Sequence, residues 1–154
     1  MRIEFSVREG RPPPASGFDL GDIDVEGNWG AATSRGHRPD QGMMIHLAVA
    51  ELLDTLRALV AGRRPGKAVR REFVGADSSF TLDFTLTREG RLVTAQGGQV
   101  LDESPAGEAL REVGRAAEAF AAAHLPTLPE DDAARGDLEA ALRAFRGVAA
   151  GVGE

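Results

Sequence analysis

Arg35-Gly36-His37-Arg38-Pro39-Asp40-Gln41-Gly42 gathers more chemistry than any other stretch of the chain. Two guanidinium groups, an imidazole, a carboxylate and an amide share one short loop. The loop runs into an apolar-periodic segment that starts near residue 43, so the N–H groups and dipole of a helix start would face it. That arrangement suits a small anion, held by Arg35, Arg38 and the amides at 41–44. With His46 from the first turn of the helix, the candidate ligand-binding set is Arg35, His37, Arg38, Asp40 and His46. It would line a pocket between the sheet and the first helix, for a small anionic ligand or for hydrolysis. The opposing reading makes Asp40 the helix N-cap and leaves the arginines to solvent. An Asp40 engaged in that way would repel a bound anion.

Other chemistries are narrowed by what the chain lacks. It has no cysteine and no tyrosine, and Lys67 is its only lysine. Disulfides, thiolate nucleophiles and cysteine-ligated metal are excluded. His37, His46 and His124 show no His-Glu-x-x-His pattern and no i, i+4 pair, so no metal site is assigned. None of the serines lies in Gly-x-Ser-x-Gly, and Asp77-Ser78-Ser79 reads as a turn. Asp22 and Asp24 share a strand face, where acids guard an edge more simply than they catalyse. No phosphate-binding glycine motif is present. No catalytic residue and no cofactor follow from the sequence.

Charge is the second signal. The net charge is −6, yet the segment from Arg57 to Arg71 carries Arg57, Arg63, Arg64, Lys67, Arg70 and Arg71 with no acid among them. Acids concentrate instead at Asp19–Glu26 and Glu130–Glu139. Such a dipolar surface orients a charged partner. Arg63, Arg64, Arg70 and Arg71 are therefore the candidate partner-binding residues, with the wet strand face Thr81, Asp83 and Thr85 beside them. The acidic total and the lack of interleaved aromatics argue against nucleic acid. No segment is apolar enough to span a membrane, and the start has no signal-peptide pattern. A cytoplasmic location is the expectation.

These residues need elements to hold them. Alternation predicts strands at 2–8 and 18–26, the second with a slip at Gly21-Asp22, and a short strand within 29–34. Ile45, Val49, Leu52, Leu56 and Leu59 predict a helix over 43–61, capped by Asp40 and stopped at Gly62. Strands follow at 69–74, 80–87, 91–96 and 99–102. Ser104-Pro105 reads as the start of a helix to 124, and Asp131 or Asp132 as the cap of another over 133–148. Trp29 is expected in the core, because the chain has few aromatics to fill one. The order predicts one α+β domain over 1–150 with a frayed tail at 151–154. Its antiparallel sheet would have about five to seven strands, with one long helix and a C-terminal helix pair packed on one face.

Gln41-Gly42-Met43-Met44-Ile45-His46-Leu47, Leu52-Leu53-Asp54 and Gly75-Ala76-Asp77-Ser78-Ser79-Phe80 resemble small proteins of high-GC actinobacteria. The resemblance spans most of the chain. It implies a stand-alone bacterial cytoplasmic domain and carries over no functional residue. The leading expectation is thus a non-enzymatic protein-interaction domain, accessory or immunity-like in size and charge. The alternative is the small-anion binder or hydrolase built on 35–46. Self-association into a homodimer, through an edge strand or the alanine-rich second helix, is a third class.

Overall fold

Ile3, Phe5 and Val7 alternate with polar residues along Arg2–Val7, which forms the first strand, β1, of the computed structural model; residues 1–152 are described. β1 pairs antiparallel with β2 (Leu20–Glu26), setting Phe5 opposite Ile23 and Ile3 opposite Val25. Two short strands, β3 (Ala31–Thr33) and β4 (Met43–Met44), pair with β2 as well, at Asp24–Glu26 and Leu20–Gly21. The expected slip at Gly21-Asp22 is absent, since pairing is continuous from Val7–Gly21 to Arg2–Glu26. The pattern only looks broken because Leu20 falls on the polar side of the alternation, with Asp22, Asp24 and Glu26; it is half-buried there, and Asp22 is buried.

A second antiparallel sheet follows: β5 (Val69–Val74), β6 (Thr81–Leu86), β7 (Arg91–Gln96) and β8 (Gln99–Pro105), in that order. The fold class is α+β, but the strands divide between two four-stranded sheets where the sequence suggested one. Periodicity locates strands; it does not say which edges meet.

Between the sheets in sequence runs α1 (Ile45–Ala61), which packs against strands of both sheets and against both other helices. Ile45, Ala48, Val49, Leu52, Leu53, Leu56 and Leu59 are all buried. A helix enclosed on so many sides needs more than one apolar stripe, which explains why Leu53 joins the set. α2 (Ala106–His124) lies along β1, and α3 (Ala133–Val152) packs on α1 and α2 after a 3-10 turn at Leu125–Thr127. α3 takes in residues 151 and 152 of the expected frayed tail; residues 153 and 154 lie outside the described residues.

The helix starts correct two expectations. Asp40 does not cap α1. The N-cap is Met44, without a side-chain bond, and the first amides are satisfied by other chain segments: Met44 N–H donates to Ala76 O at 3.1 Å and Ile45 N–H to Asp19 O at 3.2 Å. Ser104 does not cap α2 either; its hydroxyl donates to Asp102, and Pro105 takes the N-cap position. Asp132 does cap α3, accepting from Ala134 N–H at 2.9 Å.

Trp29 is a further correction. It is 65% exposed, on the turn between β2 and β3. The turn docks its backbone on β8: Trp29 and Gly30 N–H both donate to Leu101 O, and Asn28 exchanges side-chain bonds with the backbone of Glu103. Asn28 N–H also donates to the buried Asp102 carboxylate at 3.0 Å. A Cβ on Gly27 would collide with Leu101 O, so glycine is required where the two sheets meet.

Candidate functional site

Arg8, at the end of β1, is the centre of a polar cluster the sequence did not single out. Its guanidinium donates to both oxygens of Asp22 at 3.0 and 3.1 Å and to both oxygens of Asp40 at 2.7 and 2.8 Å. Asp22 also accepts from the hydroxyl of the buried Ser34 at 2.7 Å, and Ser34 Oγ accepts from Ile23 N–H. Arg35 donates to Asp24 at 3.1 Å and to Ser6 Oγ at 2.6 Å, and its charge lies 3.8 Å from Asp22. Burial alone would raise the pKa of Asp22, but the bonds from Arg8 and Ser34 and the charges of Arg8 and Arg35 outweigh it and hold the carboxyl below its ordinary range. The Arg8 bond, with help from Gly42 N–H, holds Asp40 well below the usual carboxylate range.

The cluster joins Arg35 and Asp40 from the candidate set, but as neutralised partners. Three carboxylates, Asp22, Asp24 and Asp40, face two guanidiniums, Arg8 and Arg35. That balance leaves no spare positive charge for an anion. A small cleft lined by Ser6, Arg8, Glu9, Asp22 and Arg35 opens beside it. The other candidates lie elsewhere. His37 bonds Thr33 O through Nε2 at 2.7 Å, and Arg38 is exposed with no carboxylate partner among the described residues. His46 is only 1% exposed. Its ring packs 5.3 Å from Phe120 and 6.4 Å from His124, between centroids. The loop therefore acts as a strap, fastened to β1 and β2 by Arg8 and Arg35.

His46 is unusual in its own right. Its Nδ1 is buried without a hydrogen-bond partner. Burial, then the neighbouring His124, pushes its pKa down, against an opposing pull from Asp19 and Asp132. Burial also lowers His124. Phe120 and His124 in turn line a groove of about 780 Å³ between α2 and the β1–β2–β3 sheet, with Phe5, Val25, Ala32 and Ala119 among its other walls. Its size falls within the range of small-molecule sites. Among the described residues no cluster of acidic and histidine side chains is placed to hold a metal, and no helix is long and apolar enough to cross a membrane.

The basic segment has a different character. Among the described residues ten of the seventeen arginines hold a carboxylate, Arg8, Arg11, Arg35, Arg88, Arg91, Arg115, Arg135 and Arg146 outside the basic run. Within the basic run, Arg57 is paired with Asp54 and Arg70 with Asp83. Arg63, Arg64, Lys67 and Arg71 are exposed and have no carboxylate within ion-pair distance among the described residues. They cluster because the chain leaves α1 at Gly62, turns at 64–67 around Gly66 in the left-handed region, and enters β5 directly. Of the wet strand face, Asp83 is taken by Arg70, while Thr81 and Thr85 stay half-buried beside it.

The chain matches no protein-family model, no curated protein and no solved structure in comparisons with each. Sequence reasoning missed Arg8, Ser34 and Ser6, which are brought together only by strand register, and took Asp22 for an acid guarding an edge, whereas β2 lies between β1 and β3 and buries it. The sequence carried no signal for that burial: Asp22 alternates with Ile23 and Val25 as a solvent-facing acid would, and only the fold buries it.

Proposed function

We propose that this chain is a non-enzymatic protein-interaction domain, of the accessory or immunity-like kind, which captures an acidic partner protein in the cytoplasm. The observation that carries the reading is the cluster of unpaired cations Arg63, Arg64, Lys67 and Arg71 at one end of an acidic molecule. Uncompensated like charges repel one another and weaken the folded state slightly. A partner's carboxylates would relieve that repulsion and steer the encounter. Arg70, tied to Asp83, would frame the contact and keep β5 in place. The test is affinity capture from the source cell with the wild-type chain and with the quadruple variant Arg63→Glu, Arg64→Glu, Lys67→Glu, Arg71→Glu. A stoichiometric protein held by the wild type and lost by the variant supports the reading; equal capture by both removes this surface from it.

A second reading, a small-ligand binder, is favoured by the groove between α2 and the first sheet together with the unpartnered Nδ1 of His46 behind it. It moves the ligand from the 35–46 loop to the groove that Phe120 and His124 line. Filling the groove with Ala119→Phe should abolish binding of any apolar probe that enters it and leave capture of a protein partner unchanged.

A further inference from the structure

β5 is the edge of its sheet. It pairs with β6 along its whole length, Val69 with Leu86 through Val74 with Thr81, and no backbone bond reaches Val69–Val74 from the other side among the described residues. Alternate N–H and C=O groups along that side are therefore open to a further strand. Arg70, Arg71 and Glu72 are exposed, and Val74 keeps 45% of its surface in solvent. An apolar residue left in solvent on an edge strand adds to the invitation to pair. The unpaired cations Arg63, Arg64, Lys67 and Arg71 border the same edge.

Cations on an edge strand ordinarily discourage pairing with other sheets. Here they do so selectively. A second copy of β5 would bring the same cations to the edge and be repelled. A strand rich in glutamate or aspartate would neutralise them while forming ladder hydrogen bonds. Attraction for one strand and repulsion of others together make a specific site.

We propose that the partner docks by strand addition: an extended acidic segment joins β5 as a fifth strand of the second sheet. The main chain supplies ladder bonds, Val74 an apolar contact, and Arg63, Arg64, Lys67 and Arg71 the charge selection. This rests on the interaction reading above, and adds to it the mode of contact and the chemistry of the bound segment.

The probe is a blocked peptide of alternating valine and glutamate, roughly eight residues long to match a strand. It is titrated against the full chain, with hydrogen exchange followed at the β5 amides. Binding should weaken with rising salt. The open amides of β5 should gain protection. The quadruple charge-reversed variant should bind at least about tenfold more weakly, as should a peptide with the same side chains and N-methyl groups on alternate amides, which keeps the charge and loses the ladder. Equal binding of the N-methylated peptide with no protection of β5 overturns strand addition and leaves charge-driven docking standing. No binding of either peptide also overturns it, whereas the interaction reading fails only if the protein capture described above fails. Protection of β5 that rises with protein concentration alone would assign the edge to a second copy, against the proposal.

Discussion

Arg8 illustrates how much one side chain can organise. It draws Asp40 from the loop and Asp22 from β2 onto a single guanidinium, and Arg35 repeats the pattern with Asp24. Replacing Arg8 by alanine leaves the buried Asp22 with Ser34 and a more distant Arg35. The expected loss is about 2 kcal/mol, the scale for a buried acceptor deprived of a charged donor, read as a lower urea midpoint with unchanged slope. His46 sets the acid limit. Its pKa is lowered in the folded chain, so below the unfolded histidine value, about 6.5, the unfolded chain binds the proton more readily. Stability is then complete above that pH and falls as pH drops through it. Denaturation midpoints should decline between pH 7 and pH 5, and His46→Leu should flatten most of that slope, with His124 supplying the remainder; an unchanged slope would place the titration elsewhere. Asp22 and Asp40 act lower. Their depressed values stabilise the fold above about pH 4, and that contribution fades only as pH falls further. Arg35 and Asp40 were legible in the sequence because a dense polar loop stands out. Arg8, Ser6 and Ser34 were not, because the register that joins them is a property of pairing and not of spacing.

The helices and most strands followed from period and punctuation. Residues 45–61, 69–74 and 91–96 form the elements their apolar spacing implies. The division into two sheets did not follow, because the decisive contacts are between turns and edges. The β2–β3 turn on β8 is the clearest case. Gly27 permits backbone contact, Asn28 imitates a strand residue toward Glu103, and Trp29 is consequently carried outward. Core expectation by residue type alone misplaces Trp29, since a large apolar side chain can be exposed when its backbone is committed elsewhere. Gly27→Ala should cost about 2 kcal/mol or more by forcing this joint apart. Trp29→Ala, on the same turn, should change stability by less than about 0.5 kcal/mol, as expected of a surface side chain. Thermal unfolding of the two variants side by side separates the backbone role from the side chain's. Capping was the other blind spot. Asp40 and Ser104 have the right types in the right places, yet both are claimed by partners distant in the chain or on a neighbouring strand residue.

For the molecule as a whole, charge is the organising feature. Asp19, Asp22, Asp24 and Asp40 are held by Arg8, Arg11 and Arg35, so the acids around the loop with the most obvious chemistry are already engaged. The basic end is not. Its four unpaired cations were visible in the sequence as a run without acids; only the fold separates them from Arg57 and Arg70, which have local partners. Lys67 is the only lysine of the chain and lies in that cluster. A carbodiimide, which joins an amine directly to a carboxylate, therefore reports on this surface with little ambiguity. The most direct measurement is zero-length crosslinking of the captured complex, followed by mapping of the joined peptides. We expect a linkage from Lys67 to a glutamate or aspartate of the partner, lost in Lys67→Arg while capture itself persists. A complex whose crosslinks all run from the partner's lysines to carboxylates remote from β5, with Lys67 unmodified, would contradict the account.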